Sequence, residues 1–285
     1  MDKANIAELV QGVGELVSLP QAFVRINKLV EDPDSTTADI AEVVSQDPAF
    51  TVRLLRIANS SLYGFSSSIE TVSRAVTLIG TSQVRNLALS TAVASTFAGI
   101  PNELVSMRNF WRHSLYCALI ARSLAKRTGL DAEALFTAGL LHDIGELVIF
   151  NRLPDKAREV LVMVLDSGDQ LPVYQAEQQI LGFDHAAVGG ELARQWELPP
   201  MLSECIAYHH DIGQAQRCPQ ETALVHIANI LAQMAEIDTL DLGDVAPIDP
   251  LAWKSVGLDA TEVMEQTVKQ AQQAIGEAEK LFLGK

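Results

Sequence analysis

The chain has 285 residues, 48% hydrophobic and 20% charged, and its 21 Lys and Arg stand against 36 Asp and Glu for a net charge of −15. That is enough length and apolar content for a real core, which excludes a disordered or fibrous chain. The acidity argues against nucleic acid as a partner, because affinity for it comes from cations that displace phosphate counterions.

In chain order, helical periodicity dominates and alternating strand patterns are scarce. Polar residues between Asp2 and Glu15 break any secretory apolar core, and residues 4–18 read instead as an amphipathic helix through Ile6, Leu9, Val10, Val13, Leu16 and Val17. Pro20 opens a second helix through Phe23, Ile26, Leu29 and Val30, and a turn follows at Glu31-Asp32-Pro33-Asp34. Thr36 and Asp39 have the spacing of a capping box, and Asp47-Pro48 sets a capping carboxylate before a proline at the first helical position. Residues 59–68 read as a loop, residues 71–79 as a short helix stopped by Gly80, and Thr81 as the cap of a helix running to about Phe97. Residues 38–59 have the outline of a helix-turn-helix, but with only Arg53 and Arg56 to meet phosphates a packed helical hairpin is the expectation.

Gly99-Ile100-Pro101 is the clearest break and divides residues 1–100 from residues 101–285. A long helix is expected over residues 103–127, ended by Gly129, and Asp131 caps the next, which carries His142-Asp143. Helices over residues 155–167 and 172–181 follow, then one capped by Asp184 that ends before Pro199-Pro200. Two more are expected over residues 201–210 and 221–235, then a linker over residues 237–250 and a last helix over residues 259–281. The apolar stripe of that last helix, Val263, Val268, Ala271, Ala274, Ala278 and Leu281, suits packing on its own domain or pairing with another chain. Cys117, Cys205 and Cys218 are too few and too widely spaced for a disulfide framework or zinc ribbon. No run approaches the roughly 18 apolar residues of a membrane span, so no membrane partner and a cytoplasmic location are expected.

The chemistry gathers around Gly139-Leu140-Leu141-His142-Asp143-Ile144-Gly145-Glu146. Apolar residues on both sides imply burial, and a buried carboxylate needs a partner. His113, His185, His209 and His210 each fall on or beside an expected buried helix. Imidazoles around a buried carboxylate suit zinc, iron, manganese or nickel. They equally suit a metal-free hydrogen-bonded network that fixes helix packing.

These residues, in their settings Trp111-Arg112-His113-Ser114, Gly139 to Gly145, Gly182-Phe183-Asp184-His185 with Ala186-Ala187-Val188-Gly189, Trp196-Glu197-Leu198-Pro199 and His209-His210, resemble the HDOD family. That family is a branch of the HD phosphohydrolase superfamily related to the HD-GYP cyclic-di-GMP phosphodiesterases. Leu19-Pro20, Ser45-Gln46-Asp47-Pro48, Leu54-Leu55, Ala58-Asn59-Ser60 and Leu78-Ile79-Gly80 resemble its first half, so the match spans about residues 16–232. The resemblance implies an all-α fold, an HD-like helical bundle with an N-terminal helical subdomain, and a role in bacterial signal transduction. It marks His113, His142, Asp143, His185, His209 and His210 as matching the metal ligands of active relatives, in which a hydroxide held between metals attacks phosphorus.

Three departures from the active relatives bear on function. Glu146 stands where they carry Lys, and a carboxylate there repels phosphate. Asn229 stands at the place of their last Asp ligand, which removes one anion from the metal's set. Asn109 replaces an acidic residue, and the Gly-Tyr-Pro signature is missing. His226, one turn before Asn229, is expected to make a core hydrogen bond. The expectation is a non-catalytic signalling module acting through protein partners. The alternative is a metal-dependent phosphohydrolase acting on a nucleotide or cyclic dinucleotide.

Overall fold

A computed structural model of the chain describes residues 3–14, 21–98, 104–168 and 171–283, and every regular element among them is helical. In order these are α1 (Lys3–Gly14), α2 (Gln21–Glu31), α3 (Thr37–Ser45), α4 (Pro48–Ala58), α5 (Val72–Ile79), α6 (Thr81–Ala98), α7 (Met107–Thr128) and α8 (Ala132–Leu141). There follow α9 (Ile144–Arg152), α10 (Pro154–Asp166), α11 (Val173–Leu181), α12 (His185–Gln195), α13 (Pro200–Tyr208), α14 (Pro219–Ile237), α15 (Pro250–Val256) and α16 (Ala260–Phe282). The end of the expected first helix beyond residue 14, the expected starts at Pro20 and residue 103, and the break at Gly99-Ile100-Pro101 lie outside the described residues. Among the described residues no helix is long and apolar enough to cross a membrane.

The chain forms two compact units, Ser18–Gly99 with Glu277–Lys285, and Met1–Val17 with Ile100–Gly276. In the smaller unit α2 packs on α3 and α6, and α5 on α3 and α4, around Phe23, Ile26, Ile40, Val44, Leu54, Ile57 and Val76. Its helix starts follow from local chemistry. Thr36 and Asp39 form the reciprocal capping box, and Asp47 accepts the Phe50 amide ahead of Pro48. Thr81, expected as a cap, is instead the first residue of α6. Gly80 before it, at φ +94°, supplies the break.

In the larger unit α7 is the axis. It packs along α8 and α14, while α9 and α13 pack on α12. The left-handed Gly129 stops α7, and Asp131 caps α8 by accepting the Glu133 and Ala134 amides. Three glycines let backbones meet where side chains would not fit. A Cβ on Gly139 would lie 2.9 Å from Ala118 Cα of α7, and one on Gly189 2.7 Å from an Ile206 methyl. One on Gly145 would run into the His185 carbonyl and lie 2.6 Å from Gly189 N. The expected linker is the stretch between α14, which ends at Ile237, and α15, a seven-residue helix not expected from the sequence, which Asp249 caps and Gly257 follows. Along α16, Val263, Val268, Ala271 and Ala278 of the expected stripe are buried within the chain together with Ile275 and Phe282, whereas Ala274 and Leu281 are half-buried.

Candidate metal centre

The sequence placed His142-Asp143 inside one helix, whereas the structure ends α8 at Leu141, starts α9 at Ile144 and leaves the pair in the turn between them. The cause is local. The His142 ring donates from Nδ1 to the Gly139 carbonyl at 2.8 Å, the acceptor that residue 143 would need to continue the helix. Asp143 is the N-cap of α9, but its side chain makes no capping bond, so both carboxylate oxygens are left for the cluster. Helix ends supply most of the rest. His185 is the first residue of α12, His209 caps the C-terminus of α13 with His210 after it, and His113 and Asn229 lie in the interior of α7 and α14.

All seven residues singled out in the sequence meet here. On one side of Asp143, Oδ1 lies 3.3 Å from His185 Nε2 and 3.4 Å from His209 Nε2, and His210 Nε2 is 2.9 Å from His185 Nε2. On the other, Oδ2 lies 2.9 Å from His142 Nε2 and 3.6 Å from His113 Nε2, itself 3.0 Å from Asn229 Oδ1. One rule orients the rings. His113, His142, His185 and His209 all turn Nε2 inward and engage Nδ1 with an outer acceptor. Those acceptors are Glu236 at 2.9 Å, Gly139 O at 2.8 Å, Glu177 at 2.7 Å and Ile206 O at 3.0 Å respectively. Glu177 also accepts the His185 backbone amide at 2.8 Å, and Tyr174 stacks on His210 at 4.1 Å between ring centroids.

Sequence reasoning passed over Glu177 and Glu236. Glu236 lies two helical turns after Asn229 on α14, and that spacing was the available signal; eight residues before His185, Glu177 carried none. His226 stands behind the cluster. Its Nδ1 donates to the His209 carbonyl at 2.7 Å and its Nε2 accepts the Asp249 amide at 3.0 Å, the expected core hydrogen bonding. Asn109 is exposed at the start of α7, its amide held by the Ser106 cap.

Charge in the cluster is unevenly spread. Burial opposes a proton on His113, but the bond to Glu236 and the charge of Asp143 outweigh it and raise its pKa to about 9. Burial opposes a proton on His142 as well, and Asp143 raises it to about 10. Burial, with the neighbouring imidazoles, takes His209 down to about 4 and lowers His210, while His185 is raised against burial by Glu177 and Asp143. Asp143, despite its burial, is held well below the usual carboxylate range, first by His142. Glu146 is pushed up to about 8 by burial and then by Asp143. Both effects favour its protonated form and so weaken the phosphate repulsion expected from its sequence position.

The donor set fits a divalent ion. His142 Nε2, His209 Nε2 and Asp143 Oδ1 are buried with no aligned hydrogen-bond partner among the described residues, a costly state that a cation between them relieves. Metal–ligand bonds of about 2.0–2.2 Å set the ligand atoms of one ion roughly 3.0–3.4 Å apart, which matches the separations around Oδ1. The ligand atoms of Asp143, His185, His209 and His210 lie within 4.8 Å of one another, as do those of His113, His142 and Asp143. Asp143 thus belongs to both groups. Imidazole with carboxylate suits iron, zinc, nickel or manganese.

Comparison with known proteins bears on the family and the fold. The model of the HDOD domain matches residues 16–212. A Geobacter sulfurreducens structure described as an HDOD domain protein with unknown function superposes with a TM-score of 0.74 at 26% identity, covering 99% of this chain and 100% of that one. A Shewanella amazonensis structure provisionally named a phosphohydrolase gives a TM-score of 0.73 at 28% identity, covering 94% and 97%. An uncharacterized Treponema pallidum protein is 26% identical over 212 residues, which are 73% of this chain, and the chain spans 40% of that relative's length.

Proposed function

The chain belongs to the HDOD domain family, and on that premise we propose that it is a bacterial signalling module that holds a divalent ion without turning over a substrate and acts through protein partners. The observation that carries this is Asn229. At the place of an anionic ligand it offers a neutral amide whose oxygen lies 3.0 Å from His113 Nε2, while Glu236 takes the other nitrogen of that ring. The His113 side of Asp143 is thereby engaged by hydrogen bonds. Asp143, His185, His209 and His210 would hold an iron, manganese, nickel or zinc ion. When bound, such an ion supplies Lewis acidity and a fixed positive charge. The surrounding chain orients its ligands: Glu177 fixes His185 and the Ile206 carbonyl fixes His209.

A second reading, a metal-dependent phosphohydrolase, is favoured by the two oxygens of Asp143, each of which faces its own set of imidazoles. In that reading the substrate is a nucleotide or cyclic dinucleotide.

Elemental analysis of protein purified without chelator or metal-binding tag, beside His185→Ala and Asp143→Ala, tests the site. About one equivalent in wild type and less than a tenth in both variants supports it; equal, negligible contents would make the histidines structural. Metal-loaded protein is expected to show no turnover on a phosphodiester and nucleotide panel, and turnover lost in Asp143→Ala would select the second reading. Capture from the native cell should yield a protein partner.

A further inference from the structure

His226 is the one histidine of the six outside the cluster, and its surroundings fix its role. It is 9% exposed, and both ring nitrogens meet backbone groups of fixed polarity. The His209 carbonyl can only accept and the Asp249 amide can only donate, so the hydrogen sits on Nδ1 and Nε2 presents its lone pair. The ring thus joins the turn that presents His209 to a segment 23 residues further on.

That segment, residues 238–250, has little apolar anchorage. Leu240 and Leu242 are 48% and 43% exposed, and Leu251 just beyond is 60% exposed. Its own bonds are local, Thr239 with Asp244 and Asp241 with the Gly243 amide, with Gln272 holding Asp238 at its start. At its far end the Asp249 amide is given to His226.

We propose that His226 is a positioning residue through which the ordering of residues 238–250 and ion binding by the cluster strengthen each other. The inference rests on the metal-site reading above and adds a regulation to it. Coupling through the ring is reciprocal by linkage: what secures Asp249 secures the turn carrying His209, and an ion on His209 secures the segment.

Asp249 permits a clean test in the full-length chain. Its φ of −58° is the value proline fixes, so Asp249→Pro deletes the amide donor at a φ the residue already adopts, whereas Asp249→Ala keeps the donor. Both lose the carboxylate that caps α15, so the difference between them reads the bond to His226. With Zn2+ as the probe, calorimetry is expected to show Asp249→Pro binding about three- to tenfold more weakly than Asp249→Ala, the effect of one net hydrogen bond. Hydrogen exchange over residues 238–250 is expected to slow on Zn2+ addition in wild type and Asp249→Ala, and less in Asp249→Pro. His226→Phe, which keeps ring volume and loses both bonds, should behave as Asp249→Pro does. Equal Zn2+ affinities in the Pro and Ala variants, or exchange indifferent to Zn2+ in wild type, would overturn the coupling and leave the metal site standing. Wild type that takes up no Zn2+ would overturn both.

Discussion

At the scale of the residue, Asp143 gathers the histidines because nothing else claims it. A capping residue normally spends its carboxylate on the amides of its own helix, and this one does not. The histidines and Asp143 were legible in the sequence, since such residues at buried helical positions need a reason to be there. Their outer partners were not, because a Glu on a helix reads as a solvated face until the fold brings an imidazole to it. Glu177 shows what that concealed. It is 2% exposed and accepts both the backbone amide and the ring N–H of His185. Glu177→Ala leaves two buried donors unmatched and is expected to lower unfolding free energy by about 3 kcal/mol in urea titration, with Glu177→Gln costing clearly less. Equal losses in the two variants would show that volume, not the acceptor, is what matters there.

At the scale of the element, close approach and capping decide the architecture. The α9–α12 contact depends on Gly145 and Gly189 lying backbone to backbone, so Gly145→Ala must part the helices that carry Asp143 and His185. The expected cost is about 1–3 kcal/mol, the range for overpacking a tight core, with metal content falling alongside stability. Caps are as local in their effect as in their sequence signal. Thr36 donates from its hydroxyl and backbone amide to Asp39 and lowers that carboxyl's pKa below its ordinary 3.8. A depressed folded pKa means the stabilisation is fully present above the unfolded value and is lost as pH falls through the folded one. Acid titration below about pH 4 should therefore weaken the start of α3 in wild type and leave Asp39→Asn unchanged across that range, as read by amide chemical shifts. The same locality made these starts, the Gly129 stop and the Asp131 and Asp184 caps readable in advance. The break at His142 was hidden because a ring-to-carbonyl bond makes it, and α15 because seven residues carry too short a pattern.

At the scale of the whole molecule, the cluster draws on α7, α12 and α14 of the larger unit and on the turns after α8 and α13, so an ion held there binds the folded state alone. At free metal about a hundredfold above its dissociation constant, linkage supplies about 2.7 kcal/mol. Calorimetric scans are accordingly expected to show a melting temperature about 5 °C lower after chelation, with the loss restored by metal and absent in Asp143→Ala. A transition unmoved by chelator would show that the imidazoles satisfy one another without an ion. The glycine seams described above also separate shape from chemistry. They hold helices together through close contacts that no ligand side chain supplies. A substitution at Asn229 should therefore leave the scaffold intact, whereas one methyl group at Gly145 puts the scaffold itself at risk.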